Sequence, residues 1–255
     1  MQIAASIGRS TLNRLQILGR SLIFLLVAIF QIFLPPFRFH RLVKELEFIG
    51  SKSFLIVFVT ALFTGMVIGI QGYYSLSQFG AEAALGVMVA LSIIRELGPV
   101  LCALMVTGRA GSAIAAQIGI MKITDQFPAL EMMAIDPLKY VISPKIVAGI
   151  ISLPLLTALF DLVGIAGGYL VGVKLLGVNE GAYIGKMITA ITFTDIYGGI
   201  LKSLSFGILI TWIAAFKGFT AEATTEGVSR ATTDAVVITS LSILVVDYIL
   251  TSLLL

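Results

Sequence analysis

Long apolar runs separated by short polar stretches set the reading of this chain. Five of them, 53–71, 85–107, 146–173, 196–216 and 235–255, are continuous rather than alternating. Each is long enough to cross roughly 30 Å of hydrocarbon as a helix rising about 1.5 Å per residue. Continuous runs of this length predict transmembrane helices and argue against a β-barrel, whose strands alternate with period two. A sixth apolar stretch, 21–34, is only fourteen residues long and ends at Pro35 and Pro36. It is short for a span and lacks a small-residue cleavage site, so it is expected to lie in the interface as an elbow rather than act as a signal peptide.

Basic residues orient the spans, because Lys and Arg concentrate on the cytoplasmic side. With 21–34 in the interface, thirteen fall on one side: Arg9, Arg14, Arg20, Arg38, Arg41, Lys44, Lys52, Arg109, Lys122, Lys139, Lys145, Lys217 and Arg230. Only Lys174 and Lys186 fall opposite; a crossing at 21–34 would narrow the split to ten against five. The first arrangement puts the N-terminus in the cytoplasm and the C-terminus outside. The expected fold is an all-α integral membrane protein. It has an N-terminal interfacial region (1–52) and a five-span core (53–255) within a single domain of 1–255.

Two loops carry elements of their own. In the cytoplasmic loop 122–145, Thr124 or Asp125 can cap a short helix, Pro128 suits its first turn and Pro137 ends it. Phe127, Leu130, Met133 and Ala134 would share one face, with Glu131 and Asp136 beside it. A helix lying on anionic lipid should be basic and this one is acidic, which favours a protein partner over the membrane. The outer loop 174–195, with Gly177, Gly181 and Gly185 among apolar residues, predicts a short helix on the outer face.

Composition agrees with the pattern. The sequence is 58% hydrophobic and 12% charged, with a formal charge of +3 over 255 residues. Too little polar material remains to cover a soluble globule. The lone Cys102 and lone His40 exclude a disulfide framework and a His/Cys metal site. The small net charge gives no footprint for nucleic acid. No Walker A loop is present: Gly185-Lys186 comes nearest, but Glu180 and Met187 occupy the positions of the first Gly and the Ser/Thr. No nucleophile elbow or His-Glu-x-x-His pair occurs either, so energy must come from an ion gradient or from a partner.

Within the spans stand Arg95, Glu96, Asp161, Lys202 and Asp247, each costing a few kcal/mol or more unless paired or hydrated. Counting residues from the outer ends puts Lys202 roughly 9 Å deep, Asp247 about 12 Å, Arg95 and Glu96 about 15–17 Å and Asp161 about 18 Å. Two readings fit: a structural ion-pair network, or an outward polar cavity taking a charged group between apolar walls. Arg95 and Glu96 point about 100° apart on a helix, so at least one must look elsewhere for a partner. Pro99 and Pro154 leave the carbonyls of Arg95 and Ile150 without helical donors, which predicts a kink or cavity. Gly65-xxx-Gly69, Gly164-xxx-Gly168 and Gly168-xxx-Gly172 allow close helix packing.

Several motifs in one order resemble the MlaE permease family: Gly65-Met66-Val67-Ile68-Gly69-Ile70-Gln71-Gly72, Arg95-Glu96-Leu97-Gly98-Pro99-Val100, Gly108-Arg109-Ala110-Gly111-Ser112-Ala113, Glu131-Met132-Met133-Ala134-Ile135-Asp136-Pro137, Ile142-Ser143-Pro144-Lys145 and Gly227-Val228-Ser229-Arg230-Ala231-Thr232-Thr233. The resemblance covers nearly the whole chain and is weakest before about Lys44. It implies the membrane subunit of an ABC system that moves phospholipids between the inner and outer membranes of Gram-negative bacteria. The subunit would sit in the inner membrane as a homodimer, with no cofactor of its own. ATP and Mg would be held by two cytoplasmic ATPase subunits. An MCE-domain ring on the periplasmic face, and in many members a STAS-domain protein, are the further partners implied. The segment 125–137 would be the coupling helix, engaging the ATPase through Asp125, Phe127, Leu130, Glu131, Met133 and Asp136. Arg95, Glu96, Lys202 and Asp247 match the lipid-binding segments. A different class, a proton-coupled secondary transporter relaying protons through Glu96, Asp161 and Asp247, predicts gradient-driven flux without nucleotide. A non-transporting scaffold gives no reason for five charges at similar depth.

Overall fold

The computed structural model describes residues 2–32 and 39–254, with side chains from Leu12 and again from Leu15 onward. The expected elbow end at Leu34-Pro35-Pro36, Arg38, the side chains of Arg9 and Arg14, and the final residue of the last expected span lie outside the described residues. Every long element is a helix: α1 Gln2–Ile32, α2 Phe39–Ile49, α3 Phe54–Ser77, α4 Glu82–Ile123, α5 Gln126–Met132, α6 Leu138–Leu175, α7 Glu180–Ala190, α8 Phe193–Thr220 and α9 Thr225–Leu254. The five expected spans fall inside α3, α4, α6, α8 and α9, which mostly overrun them because helices continue past the hydrocarbon. The outer loop forms α7, capped by the Asn179 side chain, which accepts from the Ala182 N–H at 3.0 Å.

Six helices among the described residues are long and apolar enough to cross a membrane, one more than expected. The addition is α1, whose apolar window Leu15–Ile32 extends N-terminally beyond the 21–34 run. It packs chiefly on α6 and α8. The Trp212 indole N–H donates to the Ser21 carbonyl at 2.8 Å, the Ser143 hydroxyl to the Ala28 carbonyl at 2.9 Å, and Phe24 sits 5.6 Å from both Phe216 and Phe219.

Small residues set the core. A Cβ on Gly65 would fall on the Gly164 carbonyl, and one on Gly69 would stand 3.2 Å from the Gly168 oxygen. The sequence-predicted glycine pairs therefore bring the α3 and α6 backbones together. Gly149 and Gly207 do the same for α6 and α8. At the end carrying α7, Gly86, Gly168 and Gly172 shape a slot for the fully buried Tyr183. Burial pushes the Tyr183 phenol up to about 12. Beside it, the Tyr169 hydroxyl donating at 2.6 Å, together with Lys174, holds the exposed Glu180 carboxyl below its ordinary value.

The end of the bundle opposite α7 is braced by charge. Lys145, 1% exposed, donates at 2.8 Å to both Glu45 oxygens of α2 and to Gln117 of α4. The Arg109 guanidinium stacks on Phe48 and donates to its carbonyl and to the Ser53 hydroxyl. The Arg41 guanidinium lies 3.4 Å over the Tyr140 ring.

The segment 122–145 departs from two expectations. The sequence puts Phe127 and Leu130 on a partner-docking face; both are buried against the chain itself, Phe127 5.3 Å from Phe219. The apolar face of α5 serves as its anchor, and the outward face carries Glu131, Met132 and Met133. Nor does Pro137 end this helix. The chain turns at Ala134 (φ 57°), where Ile135 N–H bonds the Leu130 carbonyl and Ala134 N–H the Glu131 carbonyl, a Schellman closure with Ala in the position glycine usually takes. Pro137 opens α6 instead, where Asp136 caps the Leu138 N–H at 2.8 Å and accepts from Gln31 of α1. Asp125 precedes α5 in a left-handed conformation and makes no side-chain cap.

Gly65→Ala is expected to destabilise the protein by about 1–3 kcal/mol, because two backbones would have to separate. Gly185→Ala, whose Cβ meets nothing within 4 Å, should leave stability unchanged or slightly raised. Thermal unfolding in detergent, followed by the single tryptophan, compares the two.

Candidate functional site

The site starts from a proline. Pro99 has no N–H to give the Arg95 carbonyl, and α4 answers with a π-helical turn at Ile93–Leu97, closed by the Gly98 N–H on the Ile93 carbonyl. The freed Arg95 carbonyl is taken by Lys202 of α8, whose ammonium donates to it at 2.9 Å. The carbonyl that Pro99 orphans thus finds a neighbouring helix. Pro154, by contrast, is carried inside the unbroken α-helical run Ser143–Tyr169.

Lys202 is 2% exposed and its three N–H groups are all used. Besides the carbonyl, it donates to Glu96 Oε2 at 2.6 Å and to Thr251 Oγ1 at 2.7 Å, and Asp247 Oδ1 stands 3.1 Å away as an ion pair. The Thr251 hydroxyl also faces the Glu96 carboxylate at 3.2 Å. Three helices, α4, α8 and α9, therefore meet on one buried ammonium.

Arg95 turns the other way, as the 100° offset requires. Its Nε donates to Asp195 Oδ1 at 2.7 Å. Asp195 sits in the first turn of α8, where its other oxygen accepts from the Thr192 N–H at 2.9 Å and hydroxyl at 2.8 Å. The Thr192 side chain and the Asp195 backbone complete a capping box.

These groups border a cavity of about 350 Å³ lined by Leu91, Arg95, Glu96, Asp195, Lys202, Thr251 and neighbouring residues. The side chains of Arg95 and Glu96 are 42% and 40% exposed, whereas those of Lys202 and Asp195 are 3% and 7%. Two cations and three carboxylates leave the described site one negative charge in excess. Such a recess presents Arg95 and Glu96 to an entering polar group and keeps Lys202 behind them.

Of the sequence-predicted residues, the structure brings Arg95, Glu96, Lys202 and Asp247 together and leaves Asp161 apart. Asp161 packs on the Cα of Gly98 from α6, its buried Oδ1 has no hydrogen-bond partner, and none of its bonds reaches Glu96 or Asp247. Asp195 and Thr251 are site residues the sequence reading missed. Thr251 follows Asp247 by four, the same-face spacing, and Thr192-x-x-Asp195 has the spacing of a helix start; both signals were readable. Among the described residues, no group of three or more His, Cys, Asp or Glu could hold a metal ion.

Lys202→Met would leave the part-buried Asp247 and the half-exposed Glu96 carboxylates without their cation; because water reaches Glu96, the expected loss is about 2–3 kcal/mol, below that of a fully buried pair. Adding Glu96→Gln and Asp247→Asn removes the uncompensated charge and should recover most of that loss. Melting temperatures of the two variants in one detergent decide this.

Residues 42–253 match the family described as Permease MlaE. Across 252 residues, 98% of this chain and 96% of the relative, the sequence is 46% identical to the intermembrane phospholipid transport system permease protein MlaE of Haemophilus influenzae. It is 42% identical over 253 residues to a probable ABC transporter permease protein of Rickettsia bellii, covering 99% and 98% of the two chains. Over 209 residues, 82% of this chain and 60% of the relative, it is 33% identical to the chloroplastic protein TRIGALACTOSYLDIACYLGLYCEROL 1 of Arabidopsis thaliana. Matched over most of its length and related end to end, this chain belongs to the MlaE permease family.

Proposed function

We propose that this protein is the membrane subunit of an ABC transporter that moves phospholipid between two membranes, with the lipid headgroup received at the Arg95–Glu96 cavity. The observation that carries the reading is that cavity: a charged recess beside apolar helix faces. A phospholipid combines a charged headgroup with two apolar tails, and a site of this kind offers a partner to each. The name of the Haemophilus influenzae relative supports the same substrate class, and that of the Rickettsia bellii relative supports an ABC transporter.

The basic-residue count supports a cytoplasmic N-terminus and a periplasmic C-terminus in a bacterial inner membrane, with the cavity in the outer half. The packing of α1 against the cytoplasmic ends of α6 and α8 supports its placement as an interfacial elbow. The exposed apolar faces of α3 (Leu55, Val59, Phe63) and α9 (Leu241, Val245, Tyr248) suit lipid or a second copy, in keeping with a homodimer. Cytoplasmic ATPase subunits holding ATP and Mg would dock on Glu131, Met132 and Met133, with Asp125 and Asp136 flanking them and Phe127 and Leu130 anchoring the helix from within. The MCE-domain ring and the STAS-domain protein rest on the family resemblance.

In the complex coexpressed with its ATPase, bound phospholipid and lipid-dependent ATP hydrolysis should copurify. Flux driven by a pH gradient in the isolated chain, with no nucleotide, would overturn the assignment. Glu131→Lys should abolish lipid transfer to acceptor vesicles while the dimer stays folded and ATP hydrolysis continues; undiminished coupled transfer would sink the docking assignment. A Cβ at Gly198 meets only Leu254, at 3.6 Å, so Gly198→Leu should project into the cavity and reduce retained phospholipid several-fold, measured as lipid phosphorus per protein.

A further inference from the structure

One carboxylate at the cavity wall has both oxygens committed within the protein, yet holds the residue best placed to touch a ligand. The Asp195 side chain is 7% exposed and both of its oxygens are committed, one to Arg95 Nε and the other to Thr192. The Arg95 side chain is 42% exposed and lines the cavity. Its Nε is used, and its two terminal nitrogens have no partner among the described residues.

A guanidinium is a rigid planar fork, so a hydrogen bond at Nε fixes the plane and the direction of both terminal nitrogens. Two parallel N–H donors at the spacing of a fork match two oxygens of a phosphate. Lys202 cannot supply that contact, because its three donors are consumed inside the protein. Glu96 carries the wrong charge for a phosphate and is already paired with Lys202.

We propose that Asp195 is the positioning residue for phosphate recognition: anchored in the first turn of α8, it aims the free edge of Arg95 into the cavity to take the phosphate of a lipid headgroup. This rests on the phospholipid reading above. Asp195 makes no contact with the lipid. Its carboxylate orients Arg95 and its cap on Thr192 fixes the carboxylate, so the start of α8 and the π-helical turn of α4 form one recognition unit.

The test uses the full complex in detergent and two probes with the same labelled acyl chain: phosphatidylglycerol, which has the phosphate, and diacylglycerol, which lacks it. Asp195→Asn keeps an oxygen for the Thr192 cap but removes the charge that holds Arg95. It should weaken phosphatidylglycerol binding about tenfold and leave diacylglycerol binding unchanged, the loss of one charge-assisted hydrogen bond. Gly65→Ala disturbs the α3–α6 contact away from the Arg95 pair, so it should lower the melting temperature while phosphatidylglycerol binding stays within about twofold of the parent. Asp195→Asn binding phosphatidylglycerol as the parent does, or losing both probes equally, overturns the assignment. A parent complex that binds neither probe refutes the phospholipid reading itself, which separates the two failures.

Discussion

A lysine ammonium placed inside a membrane must be surrounded by acceptors, and the upper half of this protein is arranged around that requirement. Lys202 collects a main-chain carbonyl from α4, carboxylates from α4 and α9 and a hydroxyl from α9. The carbonyl is free only because Pro99 forbids the usual helical bond, so the proline and the lysine answer one another across two helices. The demand reaches further along α9. Its buried residues end at Ile243, and beyond that point Asp247 and Thr251 are the residues that bond it to the bundle. Beyond Ile243 apolar packing thins to Val246, and the polar contacts to Lys202 and Glu96 take over.

This arrangement divides two residues that the sequence groups together. Arg95 and Lys202 are the cations of the membrane interior, and by sequence alone both suit a headgroup. In the fold one is saturated and the other is half free. The difference follows from length and origin. Lys202 rises from the neighbouring helix and meets the π-helical turn from the side, where several acceptors converge. Arg95 projects from that turn itself, past its own backbone, and finds a single carboxylate at Asp195. A buried cation with every donor spent acts as a fastener, and an exposed one with donors to spare acts as a binding group.

Much of this was legible because hydrophobic runs, charge placement and proline chemistry are one-dimensional signals. The spans, the outer helix α7, the close α3–α6 approach at Gly65 and Gly164 and the divergence of Arg95 from Glu96 all follow from spacing along one helix. What stayed hidden depends on which helices become neighbours. Asp195 stands at the edge of a loop in sequence and gains meaning only when α8 lies against α4. Phe127 and Leu130 form an apolar stripe that a partner or the chain's own core could cover, and periodicity does not distinguish the two. The core wins here because Phe219, at the end of α8, stands beside them. Asp161 was grouped with the other intramembrane carboxylates by depth, but it approaches α4 through Gly98, where the absent side chain leaves room for its oxygen.

The two ends of the molecule are built to different stiffness. At the end that carries α5, Lys145 ties α2, α4 and α6, Arg109 clamps α4 to the end of α2, Arg41 stacks on Tyr140, and Gln31 and Asp136 join α1 to the segment after α5. Each bond crosses between elements, so a force applied at α5 is shared at once with α1, α2 and α6. At the other end, α4 and α9 border a cavity and meet at the Lys202 fastening and the Thr251–Glu96 contact, while the Arg95–Asp195 pair links α4 to α8 beside it. Ala134, with a left-handed backbone that glycine would hold more easily, keeps the exposed Glu131, Met132 and Met133 on a short rigid turn rather than a loose one. Displacement at that turn therefore enters the braced end as a whole, and α4, which carries both Gln117 at the brace and Glu96 at the fastening, is the element that joins the two.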